Sequence, residues 1–229
     1  MSDTVEAAVD RVRERIALAC ARSGRTPGSV RLVAVTKTVA PETIRRAVAS
    51  AGLTDLGENR ARDLAAKAAS VPVTWHFLGK LQRGTAHLVA ANAAWVHSAE
   101  PGSGLEAVAR HAARAGARLR CLVQVDFLGT RQGVAPEEAA AFVEEARSLP
   151  GLDIVGLMTL PPVTAEPEGA RPYFAQLRGL LQRLSRAHPG LQELSMGMSA
   201  DYEVAVEEGA TMVRIGRALF HGADQRSRS

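Results

Sequence analysis

Four places in this chain hold residues that chemistry would explain. Lys37 ends the run Arg31-Leu-Val-Ala-Val-Thr-Lys37, whose apolar and β-branched residues read as a strand buried on both faces. An amine at such a strand end can form a Schiff base with a carbonyl, or it can simply snorkel to solvent. Ser195-Met-Gly-Met-Ser-Ala-Asp201 suits anion binding. Gly197 permits a turn that aims N–H groups inward, and Ser199 offers a hydroxyl where the next helix starts. The competing reading is that Ser199 and Asp201 only cap that helix. In Met212-Val-Arg-Ile215, alternation sends Met212 and Arg214 to one face. Facing inward, Arg214 is a fixed positive charge; facing outward, it pairs with a helix carboxylate. His76, in Trp75-His-Phe77, reads as a hydrogen-bonded core histidine able to border a ligand.

The elements that must position these residues alternate between two periods. Val5, Ala8, Val9, Val12, Ile16 and Ala19 recur at helical spacing, predicting an amphipathic helix over about 3–23. Strands are expected at 31–37, near 54–57, at 73–78, 94–97, 119–125, 152–157, 191–195 and 211–215. The helices between them are expected from Pro41, over about 59–69, 81–90, 103–115, 136–148, 169–187 and 200–208. Strict alternation implies parallel strands with helices outside, and eight such units in 229 residues imply one α/β domain, a closed (β/α)8 barrel preceded by an extra helix. The tail over about 223–229 reads as disordered.

Composition narrows the classes. Lys and Arg outnumber Asp and Glu by 28 to 24, but the charges are mixed and aromatic residues make up only 4%, which argues against a nucleic-acid surface. Cys20 and Cys121 have no metal or redox spacing, and His76, His87, His97, His111, His188 and His221 form no ligand pattern, so no metal is expected. The polar start Met1-Ser-Asp-Thr, with no long apolar run, predicts neither signal peptide nor membrane span, and hence a reducing cytoplasmic setting.

In a barrel the strand ends collect Lys37, Gly57-Glu-Asn59, Gly79, Met158-Thr159, Ser195–Ser199 and Arg214-Ile-Gly216. Gly216 lets backbone approach a ligand beside the turn at Gly197. An amine, a phosphate cradle and an arginine around one mouth point to a phosphorylated carbonyl cofactor held as a Schiff base. Pyridoxal phosphate fits; so does a phosphorylated sugar aldehyde in an aldolase.

Val35-Thr-Lys37-Thr, Gly57-Glu-Asn59, Trp75-His-Phe-Leu-Gly79-Lys-Leu-Gln82, Gly156-Leu-Met158, Leu194-Ser-Met-Gly-Met-Ser199-Ala-Asp201 and Met212-Val-Arg214-Ile-Gly216 stand in order over about 31–221. Together they resemble the pyridoxal phosphate homeostasis proteins, which share the alanine-racemase N-terminal (TIM) barrel. The resemblance implies that Lys37 carries pyridoxal 5'-phosphate as an internal aldimine. It also implies that Ser199 and the Gly197 and Gly216 backbones take the phosphate, that Asn59 and Met158 lie beside the ring, and that Arg214 faces the pyridine nitrogen. His76, Ser195 and Met198 are expected around the same site. The implied role is a monomeric carrier that maintains the cofactor supply without established turnover, with apo forms of pyridoxal phosphate enzymes as possible partners.

The chain departs from that pattern at Val39, often a second lysine, and at Lys80, often proline. It departs again at Thr130-Arg131-Gln-Gly133, often Ser-Lys-x-Gly, and at Arg217, often threonine. Arg131 cannot form an aldimine, though it can bind phosphate. The nearest enzyme reading, an amino-acid racemase, would by resemblance carry a C-terminal β domain and a catalytic tyrosine. Tyr173 and Tyr202 lie in no such motif, and the chain ends 13 residues after Gly216.

Overall fold

The computed structural model describes residues 4–220. Helix α1 (Val5–Arg22) opens the chain, with Thr4 accepting from the Ala7 N–H at 3.3 Å as its N-cap. Strict alternation follows: β1 (Arg31–Val35), α2 (Pro41–Ala51), β2 (Asp55–Glu58), α3 (Ala61–Ala68), β3 (Thr74–Phe77), α4 (Ala86–Asn92), β4 (Trp95–Ala99) and α5 (Ser103–Arg114). The second half runs β5 (Leu119–Val125), α6 (Ala139–Arg147), β6 (Leu152–Thr159), α7 (Arg171–Leu184), β7 (Glu193–Ser195), α8 (Tyr202–Glu207), β8 (Met212–Ile215) and α9 (Arg217–Phe220). All strands are parallel in the order β1 to β8, and β8 closes on β1 with Arg31 opposite Met212 and Ala34 opposite Ile215. The protein is therefore the expected (β/α)8 barrel.

Alternation along each strand sorts side chains between two cores. Val33, Trp95, Leu122, Met158 and Met212 fill the lumen, while Ala34, Leu56, Phe77, Val96, Leu157, Val213 and Ile215 join the larger core beneath the helices. Helix α1 lays Val9, Val12, Ile16, Ala19 and Cys20 against this outer core and contacts α2, α8 and α9, so it covers the seam where β8 meets β1. Among the described residues no helix is long and apolar enough to cross a membrane.

The departures from expectation are local. Strand β1 stops at Val35 because Thr38 turns the chain with a φ of 68°. Strand β6 continues through Thr159, so Met158 lies within it and not beyond it. Helices α3 and α8 start two residues later than the periodicity predicts, and α4 starts after a 3-10 turn at Arg83–Thr85. Helix α9 has no counterpart in the expectation. The first residue of the predicted leading helix, the tail predicted over about 223–229 and His221 lie outside the described residues.

Candidate functional site

Arg214 faces inward. It shares β8 with the lumen residue Met212, stands level with Val33 of β1, and is 5% exposed. Its guanidinium donates to the Thr159 carbonyl at 2.9 Å and to Ser195 Oγ. Among the described residues no carboxylate pairs with it within ion-pairing distance; Asp201 acts on it only through space. Burial lowers its pKa to about 10, which still leaves it charged at neutral pH.

Behind Arg214 a polar chain crosses the lumen. Ser195 Oγ lies 2.8 Å from His97 Nδ1, His97 Nε2 lies 2.9 Å from His76 Nδ1, and His76 Nε2 lies 2.9 Å from Asp55 Oδ1. His76, His97 and Ser195 are fully buried. Burial pushes His97 well below its ordinary pKa, helped by His76 and Arg214, and burial lowers His76 against the opposing pull of Asp55. Burial raises Asp55, but bonds from His76 and Thr54 and the Arg31 charge outweigh it, so Asp55 stays below the usual carboxylate range. Trp95 stacks on His76 at 5.6 Å, and Arg31 and Arg120 lie 5.0 and 5.1 Å from the centre of its indole.

Lys37 lies two residues past Val35 and is exposed, with the same parity as the lumen residue Val33. Its neighbours are held firmly. Thr36 Oγ1 donates to Glu58 Oε1 at 2.8 Å, Lys67 Nζ donates to the Thr36 carbonyl at 2.7 Å, and Lys67 pairs with Glu58. Glu58 is fully buried and Lys67 is 7% exposed, so a buried ion pair joins the segment before Lys37 to the segment before Asn59. The positive φ of Thr38 is a strained conformation for a β-branched residue, of the kind that clusters at functional sites. Asn59 is exposed after β2, and a Cβ on Gly79 would lie 1.9 Å from its carbonyl oxygen. Only glycine lets the β3 loop pass so close.

The turn after β7 and the start of α9 meet. Gly197 has a φ of 93°, and a Cβ there would lie 2.6 Å from the Ala205 side chain. The Asp201 carboxylate accepts the Met198 N–H at 2.7 Å, and Ser199 Oγ accepts the Ala218 N–H at 3.3 Å. Neither side chain caps α8. The capping alternative therefore gives way to bracing: Ser199 ties the turn after β7 to the start of α9, and Asp201 holds that turn from within. A Cβ on Gly216 would lie 3.3 Å from Val35, so that glycine passes close beside the segment leading to Lys37. Thus Lys37, Asn59, Met198, Ser199 and Gly216 ring the mouth, Gly197 lies buried within the turn, and Arg214 and Met158 lie just below. His76 sits deeper, with both ring nitrogens bonded.

His97, Asp55, Glu58 and Lys67 escaped the sequence reading as site residues. His97 carried one available signal, its two-residue spacing from Trp95 on an alternating strand. At the departures, Val39 is buried in the outer core, whereas Lys80, Arg131 and Arg217 are exposed. At the opposite, N-terminal end of the strands are a cavity of about 380 Å³ that includes Arg31 and Asp55 and another of about 400 Å³ beside Glu193 and Thr211.

The alanine racemase N-terminal domain family matches residues 8–224. The chain is 41% identical over 202 residues to a pyridoxal phosphate homeostasis protein of Deinococcus radiodurans, covering 87% of this chain and 93% of that one. It is 38% identical over 218 residues to one of Aquifex aeolicus, covering 93% and 95%. Among solved structures it resembles PipY of Synechococcus elongatus with PLP bound, at a TM-score of 0.79 and 37% identity over 91% of this chain and 99% of PipY. With this family match over most of its length and these full-length relatives, the chain belongs to the pyridoxal phosphate homeostasis proteins of the alanine racemase N-terminal domain family.

Proposed function

We propose that this protein binds pyridoxal 5'-phosphate at the barrel mouth through Lys37 and holds it for supply, without turning over a substrate. The observation that carries this reading is Arg214, a buried guanidinium with no carboxylate paired to it among the described residues, one strand away from β1 and below the exposed Lys37. A cation so placed fits an acceptor presented from the mouth. Pyridoxal phosphate supplies an aldehyde that bonds amines and a ring that draws electrons from the attached carbon. Lys37 provides the amine. Ser199, whose oxygen accepts from Ala218, still has a hydrogen to donate to a phosphate, and the Gly197 and Gly216 backbones flank it. Asn59, Met158 and Met198 wall the ring, while Ser195 and His76 act from beneath through Arg214.

Arg214 accounts for a holding role. It can only donate, so it leaves a ring nitrogen that it faces without a proton, and carbanion chemistry is blunted. A racemase also needs a second acid–base group; Tyr202 instead packs outside the barrel under Arg15, and Tyr173 packs on Phe127. Cys20 and Cys121 are buried free thiols, which suits a reducing cytoplasm. Among the described residues the exposed large apolar side chains are Leu18, Leu128 and Val163, on three separate segments, which supports a monomer. Apo forms of pyridoxal phosphate enzymes are the receivers such a carrier would serve.

The test is visible absorbance with added pyridoxal phosphate, then borohydride reduction and peptide mapping. A band abolished by reduction, with the pyridoxyl mass on Lys37 and no amino-acid turnover, is expected. A colourless protein, or an adduct on another lysine, would overturn the assignment.

A further inference from the structure

The bonds behind Arg214 admit one direction. Arginine has no acceptor, so Ser195 Oγ must accept from it. An ionised Asp55 has no donor, so His76 Nε2 must donate to it. A neutral His76 then has a bare Nδ1, and His97 Nε2 supplies that hydrogen. A neutral His97 has a bare Nδ1 in turn, so the Ser195 hydroxyl donates to it. Each step dictates the next, and the order of donation is Arg214, Ser195, His97, His76, Asp55. Complete burial of both imidazoles favours their neutral forms. The parallel stack of Trp95 on His76 holds that ring in plane. Bonds that all point one way polarise one another, so the carboxylate at one end strengthens donation along the whole chain.

We propose that Asp55, His76, His97 and Ser195 are positioning residues of the cofactor site. They form a one-way relay through which the charge of Asp55, at the N-terminal end of the barrel, sets how Arg214 presents its remaining N–H groups to the mouth. This rests on the reading of Arg214 as the partner of the cofactor ring. Asp55 lies beside Arg31 at 3.4 Å and borders the 380 Å³ cavity, so the relay joins the two ends of the barrel.

Two measurements test it on the full-length protein. Imidazole nitrogen NMR without cofactor, assigned with His76→Gln and His97→Gln, should show both rings neutral with hydrogen on Nε2. A doubly protonated His76, or a His97 carrying its hydrogen on Nδ1, would reverse the direction and overturn the relay. With pyridoxal phosphate added, Asp55→Asn should shift the visible band and weaken retention about five- to tenfold, the equivalent of about one hydrogen bond. Ser195→Ala, which cuts the relay next to Arg214, should make the further effect of Asp55→Asn vanish. An unshifted band in Asp55→Asn, or effects that add in the double variant, refutes the coupling; should Asp55→Asn fail to fold, His97→Gln takes its place in the same cycle. If wild-type protein takes up no cofactor, the functional reading falls and the positioning role falls with it, whereas the NMR result still stands or fails alone.

Discussion

Lys37 and His97 show what burial does to a single residue. Lys37 is exposed beyond the strand end, so Lys37→Ala should leave thermal stability within about 0.5 kcal/mol and the circular-dichroism spectrum unchanged, while removing the covalent adduct. Loss of the folded spectrum would mean that Lys37 holds the mouth together. His97 behaves oppositely. Its folded pKa is depressed well below the ordinary 6.5, so the unfolded chain takes up a proton more readily. The stability contributed by keeping it neutral is fully present above the unfolded value and drains away as pH falls from about 6.5 toward the folded one. Urea midpoints should therefore drop between about pH 7.5 and 5.5. The drop should be smaller in His97→Gln; an equal slope would show that His97 is not the group responsible. Arg214→Met leaves the Thr159 carbonyl without its donor in the lumen and should cost about 1–3 kcal/mol in urea unfolding.

Between elements, the pair of Lys67 on α3 and Glu58 on β2 decides how the mouth is built. Lys67 also reaches the carbonyl of Thr36, so one ammonium ties a helix to two strand ends beside Lys37 and Asn59. Lys67→Met strands a buried carboxylate and should cost about 3–5 kcal/mol in urea unfolding. Removing both charges with Lys67→Met and Glu58→Leu should recover much of that loss, and failure to recover it would show that the pair stabilises the fold outright. The alternation of elements was legible because period 2 and period 3.6 leave different apolar patterns. Their ends were not. Thr38 stops β1 by adopting a left-handed conformation that no apolar pattern encodes, and α8 starts late because Asp201 spends its carboxylate on Met198.

Across the whole molecule, helix α1 is clasped to the far end of the chain. Arg22 of α1 donates to Glu207 of α8 at 2.7 Å, and Arg171 of α7 donates to the same carboxylate at 2.7 Å. Arg15 and Arg22 also pair with Glu203. Surface pairs are individually weak, but here one carboxylate joins three helices. Glu207→Gln should lower the melting temperature by about 2–4 °C, the shift expected for roughly 1 kcal/mol in a chain of this size. That shift should shrink in high salt, and a salt-independent shift would point to lost packing in its place.

The sequence by itself determined the barrel, because eight strand–helix units of this length close most simply on themselves, and it placed Lys37, Asn59, Ser199 and Arg214 at strand ends where a mouth would gather them. Whether Arg214 faced the lumen or a helix was left open by alternation, since the pattern names two faces without saying which is inside; closure of β8 on β1 settled it. The polar chain was beyond reach of any local pattern. His97 and Ser195 stand 98 residues apart and meet only because strands on opposite sides of a small barrel share one interior. There, a side chain with no water to bond must find its partner across the lumen.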